Sequence, residues 1–200
     1  MKAPTALVAA FALALTFPAK ANPLDRWQPL IKEASVRYGI PATWIERVIL
    51  AESGGHTRLN GQLITSSAGA MGLMQLMPQT WAEITKSERL GSNPHHPRAN
   101  ILAGTYYLRL MYDRFGYPGL FAAYNAGPAR YSAYLSGRAS LPGETRQYVR
   151  SVTAHSRGRR TYSDQNPPAG LVVRSTKSDP RPEPHALFAI KVGGSASPAQ

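Results

Sequence analysis

Pro41-Ala42-Thr43-Trp44-Ile45-Glu46-Arg47-Val48-Ile49-Leu50-Ala51-Glu52-Ser53-Gly54-Gly55 is the stretch on which the reading of the fold turns. At about 100° per residue, Trp44, Ile45, Val48 and Ile49 fall on one stripe of a helix over residues 41–53, and the glycine pair is its stop. Glu52 falls in the same stripe, one turn beyond Val48, whereas Glu46 and Arg47 lie elsewhere on the wheel. An ionised, unpaired carboxyl on an apolar face is costly. Desolvation favours its neutral form and raises its pKa. A carboxylic acid that keeps its proton near neutral pH can protonate a leaving oxygen. The competing reading is a structural glutamate, paired with an arginine or reaching solvent at the helix end.

Helical spacing continues on both sides. Trp27, Leu30, Ile31, Ala34 and Tyr38 line a first helix that Gly39 stops before Pro41 opens the next. Residues 56–69 are polar and rich in Gly and Ser, and read as a loop. A short apolar run over 70–76 precedes Pro78 and a helix over 79–85. Residues 92–97 read as a turn whose His95 and His96 lack metal-ligand spacing and are expected at the surface. Ile101, Thr105, Leu108, Met111 or Tyr112, and Phe115 line a long helix ending at Gly116, with Asp113 and its neighbour Arg114 read as a surface pair. Short helices are expected over 120–126 and 129–135, and a last one over 143–155. No segment alternates with period two, so residues 22–155 read as one all-α domain.

The two ends differ from this middle. Lys2, an apolar run over 6–17 and Ala19-Lys20-Ala21 together predict a secretory signal over residues 1–21. A run of about a dozen residues is too short to span a bilayer. The mature chain is therefore expected to start at Asn22, in the periplasm, and not to be an integral membrane protein. Cysteine is absent, which excludes disulfides, a lipid-modified cysteine and thiolate metal sites. The formal net charge of +12 favours anionic partners. In an exported protein these include wall polymers, phospholipid headgroups and acidic peptide stems. Residues 156–200, with Arg157-Gly158-Arg159-Arg160 and many prolines, read as a basic and largely disordered tail. Within it, Leu171-Val172-Val173 and Leu187-Phe188-Ala189-Ile190 are either docking segments or residual stickiness. No nucleic-acid recognition motif is present, so no specific nucleic acid is expected.

Four strings occur in order: Glu52-Ser53-Gly54-Gly55; Gly69-Ala70-Met71-Gly72-Leu73-Met74-Gln75-Leu76-Met77-Pro78; Ala123-Tyr124-Asn125-Ala126-Gly127-Pro128; and Glu144-Thr145-Arg146-Gln147-Tyr148-Val149. Together they resemble the soluble lytic transglycosylase family over about residues 25–150. The resemblance implies a lysozyme-like catalytic domain acting on peptidoglycan glycan strands. It implies cleavage of the β-1,4 bond between N-acetylmuramic acid and N-acetylglucosamine, with a 1,6-anhydro product. By position, Glu52 is the acid/base, Gln75 and Met77 line the sugar cleft, and Tyr124 lies near the catalytic glutamate. Glu144 matches a cleft-facing glutamate, and Asn125 and Gly127 shape the same turn as Tyr124. A serine ahead of the glycine-rich string positions the family's glutamate. Here that is Ser66, or the adjacent Ser67, because the intervening loop is longer than the family's.

The residues themselves leave other readings open. Met71, Met74 and Met77 suit core filling at helical spacing. Gln75 among them is harder to bury, since a buried amide needs partners. Glu144 equally supplies favourable first-turn charge to the last helix.

Glycoside cleavage usually employs two carboxylates across the bond, but Asp25, Glu33, Glu83, Glu88 and Asp113 lack the setting of Glu52. A single glutamate that acts as acid and then as base fits that scarcity and requires no metal or organic cofactor. The alternatives are a goose-type muramidase that hydrolyses the bond, and a non-catalytic wall-binding component of a secretion or conjugation machine that docks through the tail. A serine acyl-enzyme ranks behind both, for neither Gly-x-Ser-x-Gly nor Ser-x-x-Lys is present.

Overall fold

The structure, a computed structural model, describes residues 22–154. The signal at 1–21, the tail at 156–200 and His155, the last residue expected in the final helix, lie outside the described residues. Seven α-helices follow a short 3₁₀ turn at Asp25–Trp27: α1 (Gln28–Tyr38), α2 (Ala42–Ser53), α3 (Pro78–Glu88), α4 (Pro97–Phe115), α5 (Gly119–Ala126), α6 (Pro128–Leu135) and α7 (Gly143–Ala154). The expected all-α class holds, and among the described residues no helix is long and apolar enough to cross a membrane.

One element escapes the helical reading. The loop over 56–69 contains a small antiparallel hairpin, β1 (Arg58–Leu59) and β2 (Gln62–Leu63), in which Arg58 faces Leu63 and Leu59 faces Gln62. Asn60 and Gly61 both take positive φ, at 50° and 80°, as a two-residue hairpin turn requires. The Asn-Gly pair is the signal for it.

The long helix also begins earlier than its apolar stripe. Pro97 occupies its first turn, where a missing N–H is no loss, and the His96 ring caps the Ala99 N–H at 3.4 Å. Asp113 pairs with Arg109 one turn earlier rather than with its neighbour, and Arg114 instead reaches Ser132 on α6. In a helix, side chains four apart meet and adjacent ones diverge.

α4 is the axis of the molecule and packs against α1, α3 and α5. It is buried on two sides. One carries Ile101, Thr105 and Leu108, and the other Asn100, Gly104, Tyr107 and Met111. α2 lays its whole apolar stripe on this body: Trp44, Ile45, Val48 and Ile49 are fully buried. Burying each such side chain contributes about 1.5–3 kcal/mol. Trp44 is ringed by Tyr112, Tyr117 and Phe121 at 5.2–5.7 Å between centroids. α7 then closes against α2 and α5. This packing fixes the far end of α2, which carries Glu52.

That end is also pinned from the N-terminal side. Gly55 takes φ +78°, and its carbonyl accepts from Arg26 Nη2 and Trp27 Nε1, both at 2.9 Å. A Cβ there would sit 3.1 Å from Leu24 Cδ2 and 3.1 Å from the Pro23 carbonyl. Gly55→Ala is therefore expected to cost about 1–3 kcal/mol of stability. Urea denaturation measures it, and an unchanged midpoint contradicts this account of the α2 terminus.

Candidate active site

Glu52 occupies the last turn of α2, just before the left-handed Gly54 ends the helix. Burial pushes its carboxyl from the ordinary 4.5 up to about 7. Two groups from α7 modify that effect. The Tyr148 hydroxyl favours the carboxylate and draws the pKa down, and the charge of Glu144 pushes it up. Glu144 and Tyr148 stand four residues apart, on one face of α7.

The Tyr148 hydroxyl is buried without a hydrogen-bond partner of ordinary geometry. It nevertheless interacts with Glu52, and that contact, together with burial, holds the phenol well above its usual range. Catalytic contacts are often long before substrate tightens them. On another side stands Tyr124 of α5, whose ionisation is suppressed first by burial and then by the Glu52 charge. Glu52 is thus surrounded by one further carboxylate and two phenols that stay neutral.

Beside it runs a cleft of about 500 Å³, lined among others by Gln75, Met77, Tyr107, Tyr124, Asn125 and Gly127. Its size suits a small-molecule ligand or a short segment of a larger one. Glu52 does not line the cleft itself. Tyr124 joins the two, since its ring lines the cleft and its ionisation responds to Glu52.

One wall of the cleft is a tight turn. Met71 and Leu76 exchange backbone hydrogen bonds at 2.9 and 3.1 Å and enclose Gly72, Leu73, Met74 and Gln75. The methionines are therefore not at helical spacing. Met74 is in the core, Met71 is half-buried, and Met77 stands 45% exposed at the cleft, at the N-cap of α3. Gln75 takes φ +47°, and its Nε2 donates to the Gly72 carbonyl at 2.8 Å.

The structure brings Gln75, Met77, Tyr124, Asn125 and Gly127 to one cleft, and Tyr124 and Glu144 to the neighbourhood of Glu52. Glu144 is exposed in the first turn of α7, so its helix-end placement and its action on Glu52 coexist. The Tyr124 hydroxyl is committed elsewhere, donating to the Met74 carbonyl at 2.7 Å. Ser66 is exposed, and its Oγ accepts from the Ala70 N–H at 3.0 Å, closing its own turn. Ser67 is exposed beside it.

Tyr148 and Tyr107 were missed as site residues. Tyr148 lies inside the last of the four strings, four residues after Glu144. Tyr107 follows Asn100 and Gly104 on the second face of α4. Among the described residues Glu33 pairs with Arg98, Glu46 with Gln28, Glu88 with Arg37 and Asp113 with Arg109. Glu83 accepts from Gln79 at the cleft, and its charge adds to burial in raising the pKa of Tyr107. Among the described residues no cluster of His, Asp and Glu could hold a metal ion.

A sequence model of the transglycosylase SLT domain matches residues 29–146. The soluble lytic murein transglycosylase of Escherichia coli K12 is 32% identical over 159 residues, covering 70% of this chain and 24% of the relative. The crystal structure of the 70 kDa soluble lytic transglycosylase of Escherichia coli superposes with a TM-score of 0.59 at 29% identity, covering 73% of this chain and 27% of that one. An inactive glutamate-to-glutamine mutant of the lytic transglycosylase Slt from Pseudomonas aeruginosa superposes at 0.57 and 27% identity, covering 68% and 24%. The helical body thus has the lysozyme-like fold. The chain spans about a quarter of the length of these relatives.

The raised pKa of Glu52 has a consequence for stability. Between pH 4.5 and about 7 the unfolded chain has released a proton that the folded chain keeps. Stability therefore falls as pH rises through that window. Glu52→Gln removes the penalty, so the variant is expected to be more stable than wild type above pH 7, on the order of a few kcal/mol. The gain should shrink to near zero below pH 4.5. Thermal melts of both proteins across pH measure it, and a gain that does not vary with pH contradicts a buried, protonated Glu52.

Proposed function

Because the chain belongs to the transglycosylase SLT domain family, we propose that it is a peptidoglycan lytic transglycosylase. It cleaves the β-1,4 bond between N-acetylmuramic acid and N-acetylglucosamine and leaves a 1,6-anhydro-muramyl end. The observation that carries this reading is Glu52, a carboxyl that burial holds protonated to about pH 7 beside a cleft of sugar-binding size.

The chemistry follows from that protonation state. Glu52 gives its proton to the glycosidic oxygen, and the N-acetylglucosamine leaves with its hydroxyl restored. The N-acetyl group of the muramyl unit stabilises the cationic anomeric carbon. Glu52, now ionised, takes the proton of the muramyl C6 hydroxyl. The C6 oxygen closes on the anomeric carbon, and the glutamic acid is regenerated without consumption of water. Attack from within the same sugar has a large effective concentration. Tyr148 assists the first half, because its hydroxyl favours the carboxylate that proton donation leaves on Glu52. Gln75, Met77 and Asn125 hold the sugar along the cleft wall. Ser66, whose Oγ closes the turn leading into that wall, or the adjacent Ser67 takes the family's supporting position.

Export to the periplasm by the signal at 1–21 supplies access to this substrate. Docking of the tail on a secretion or conjugation machine is compatible with this reading but is not needed for catalysis.

Purified sacculi treated with the protein should release muropeptides with anhydro ends, and mass spectrometry distinguishes these from the reducing ends of hydrolysis. Glu52→Gln should lower turnover by roughly 10²–10⁴-fold or more. Reducing ends would overturn the transglycosylase step, and undiminished turnover would remove Glu52 from the reaction. Wild-type activity should decline as pH rises through about 7, where Glu52 loses its proton. Tyr148→Phe removes the group that lowers the Glu52 pKa, so it should move this alkaline limb to higher pH. A limb that stays in place contradicts the Tyr148 assignment.

A further inference from the structure

We infer that Asn100 is a positioning residue for the glycan cleft, acting through Gln75; the inference rests on the function proposed above. Asn100 lies on α4 and is completely buried. All its contacts run to backbone. Oδ1 accepts from the Met74 N–H at 2.7 Å, and Nδ2 donates to the carbonyls of Met71 at 3.0 Å and Pro94 at 2.9 Å. Three of the four hydrogen bonds open to an amide are therefore made, two of them to the turn that carries Gln75.

The rest of the turn is fitted to this amide. A Cβ on Gly72 would stand 2.4 Å from Asn100 Nδ2 and 2.6 Å from its Cγ, so only a glycine lets the chain cross there. One helical turn further on, a Cβ on Gly104 would meet the Met74 Sδ at 2.4 Å and its Cβ at 2.7 Å. From the opposite side the Tyr124 hydroxyl holds the Met74 carbonyl at 2.7 Å. Met74 is thus gripped through its N–H by α4 and through its carbonyl by α5. Gln75 follows directly, with φ +47°. A non-glycine residue stays in that region only where its surroundings over-determine it. Asn100, Gly72, Gly104 and Tyr124 supply that determination, and its product is the placement of Gln75 in the cleft.

Binding to purified sacculi in the full-length Glu52→Gln background reads this placement without turnover. Asn100→Ala and Gln75→Ala are each expected to weaken binding about tenfold, and the two together by little more than either alone, because Asn100 acts through Gln75. A merely structural Asn100 would give losses that multiply to about a hundredfold, and that result overturns the inference, as does unchanged binding in Asn100→Ala. Should Asn100→Ala fail to fold by circular dichroism, Gly104→Ala takes its place. It favours the helix yet crowds Met74, and the same non-multiplying loss with Gln75→Ala is expected. Failure of the Glu52→Gln chain itself to bind sacculi overturns the wall-cleaving function together with this inference, whereas multiplying losses overturn the inference alone.

Discussion

The Glu52 carboxyl stands where burial weakens its ionisation more than Tyr148 strengthens it. Much of the scaffold can be understood as the means of keeping it there. α2 is anchored by four fully buried apolar side chains, and by Trp44 inside a ring of aromatics. The helix therefore cannot turn Glu52 toward solvent without lifting its own stripe from the core. Gly54 and Gly55 end the helix and tie it back to Arg26 and Trp27. The price of this arrangement is a penalty on stability above the raised pKa, the usual trade of an acid kept neutral for proton transfer.

Two pieces of the fold are linked to that carboxyl, α7 directly and the cleft wall through Tyr124. α7 brings Glu144 and Tyr148 on one face, and their opposed effects on Glu52 set how readily it gives and retrieves a proton. The Met71–Leu76 turn is held between α4 and α5 and forms the cleft wall. Tyr124 serves both pieces. Its ring lines the cleft, its hydroxyl secures Met74, and it responds to the charge of Glu52. The Glu52 carboxyl and the cleft wall are therefore linked through one packed unit.

The helical frame was legible because apolar stripes at 3.6-residue spacing are a local property, as along Trp44, Ile45, Val48 and Ile49. The setting of Glu52 was legible for the same reason. The hairpin at Asn60-Gly61 was read only as part of a loop, because its strands are two residues long and carry no alternation, although the Asn-Gly pair is a turn signal. Asn100 was not legible as a clamp, because its partners Met71 and Met74 are remote in sequence and only packing brings them together. The second face of α4 was obscured by the first, since a central helix buried on two sides has no single stripe. The methionines misled by their spacing of three: the glycine-bearing turn removes the helix that the spacing implies.

The central claim is that Glu52 keeps its proton in the folded protein near neutral pH. Carbon-13 NMR titration of the glutamate carboxyls, with Glu52 assigned by its disappearance in Glu52→Gln, measures this directly. The account requires one carboxyl with a midpoint near 7. A Glu52 resonance that titrates at its ordinary 4.5 would contradict it.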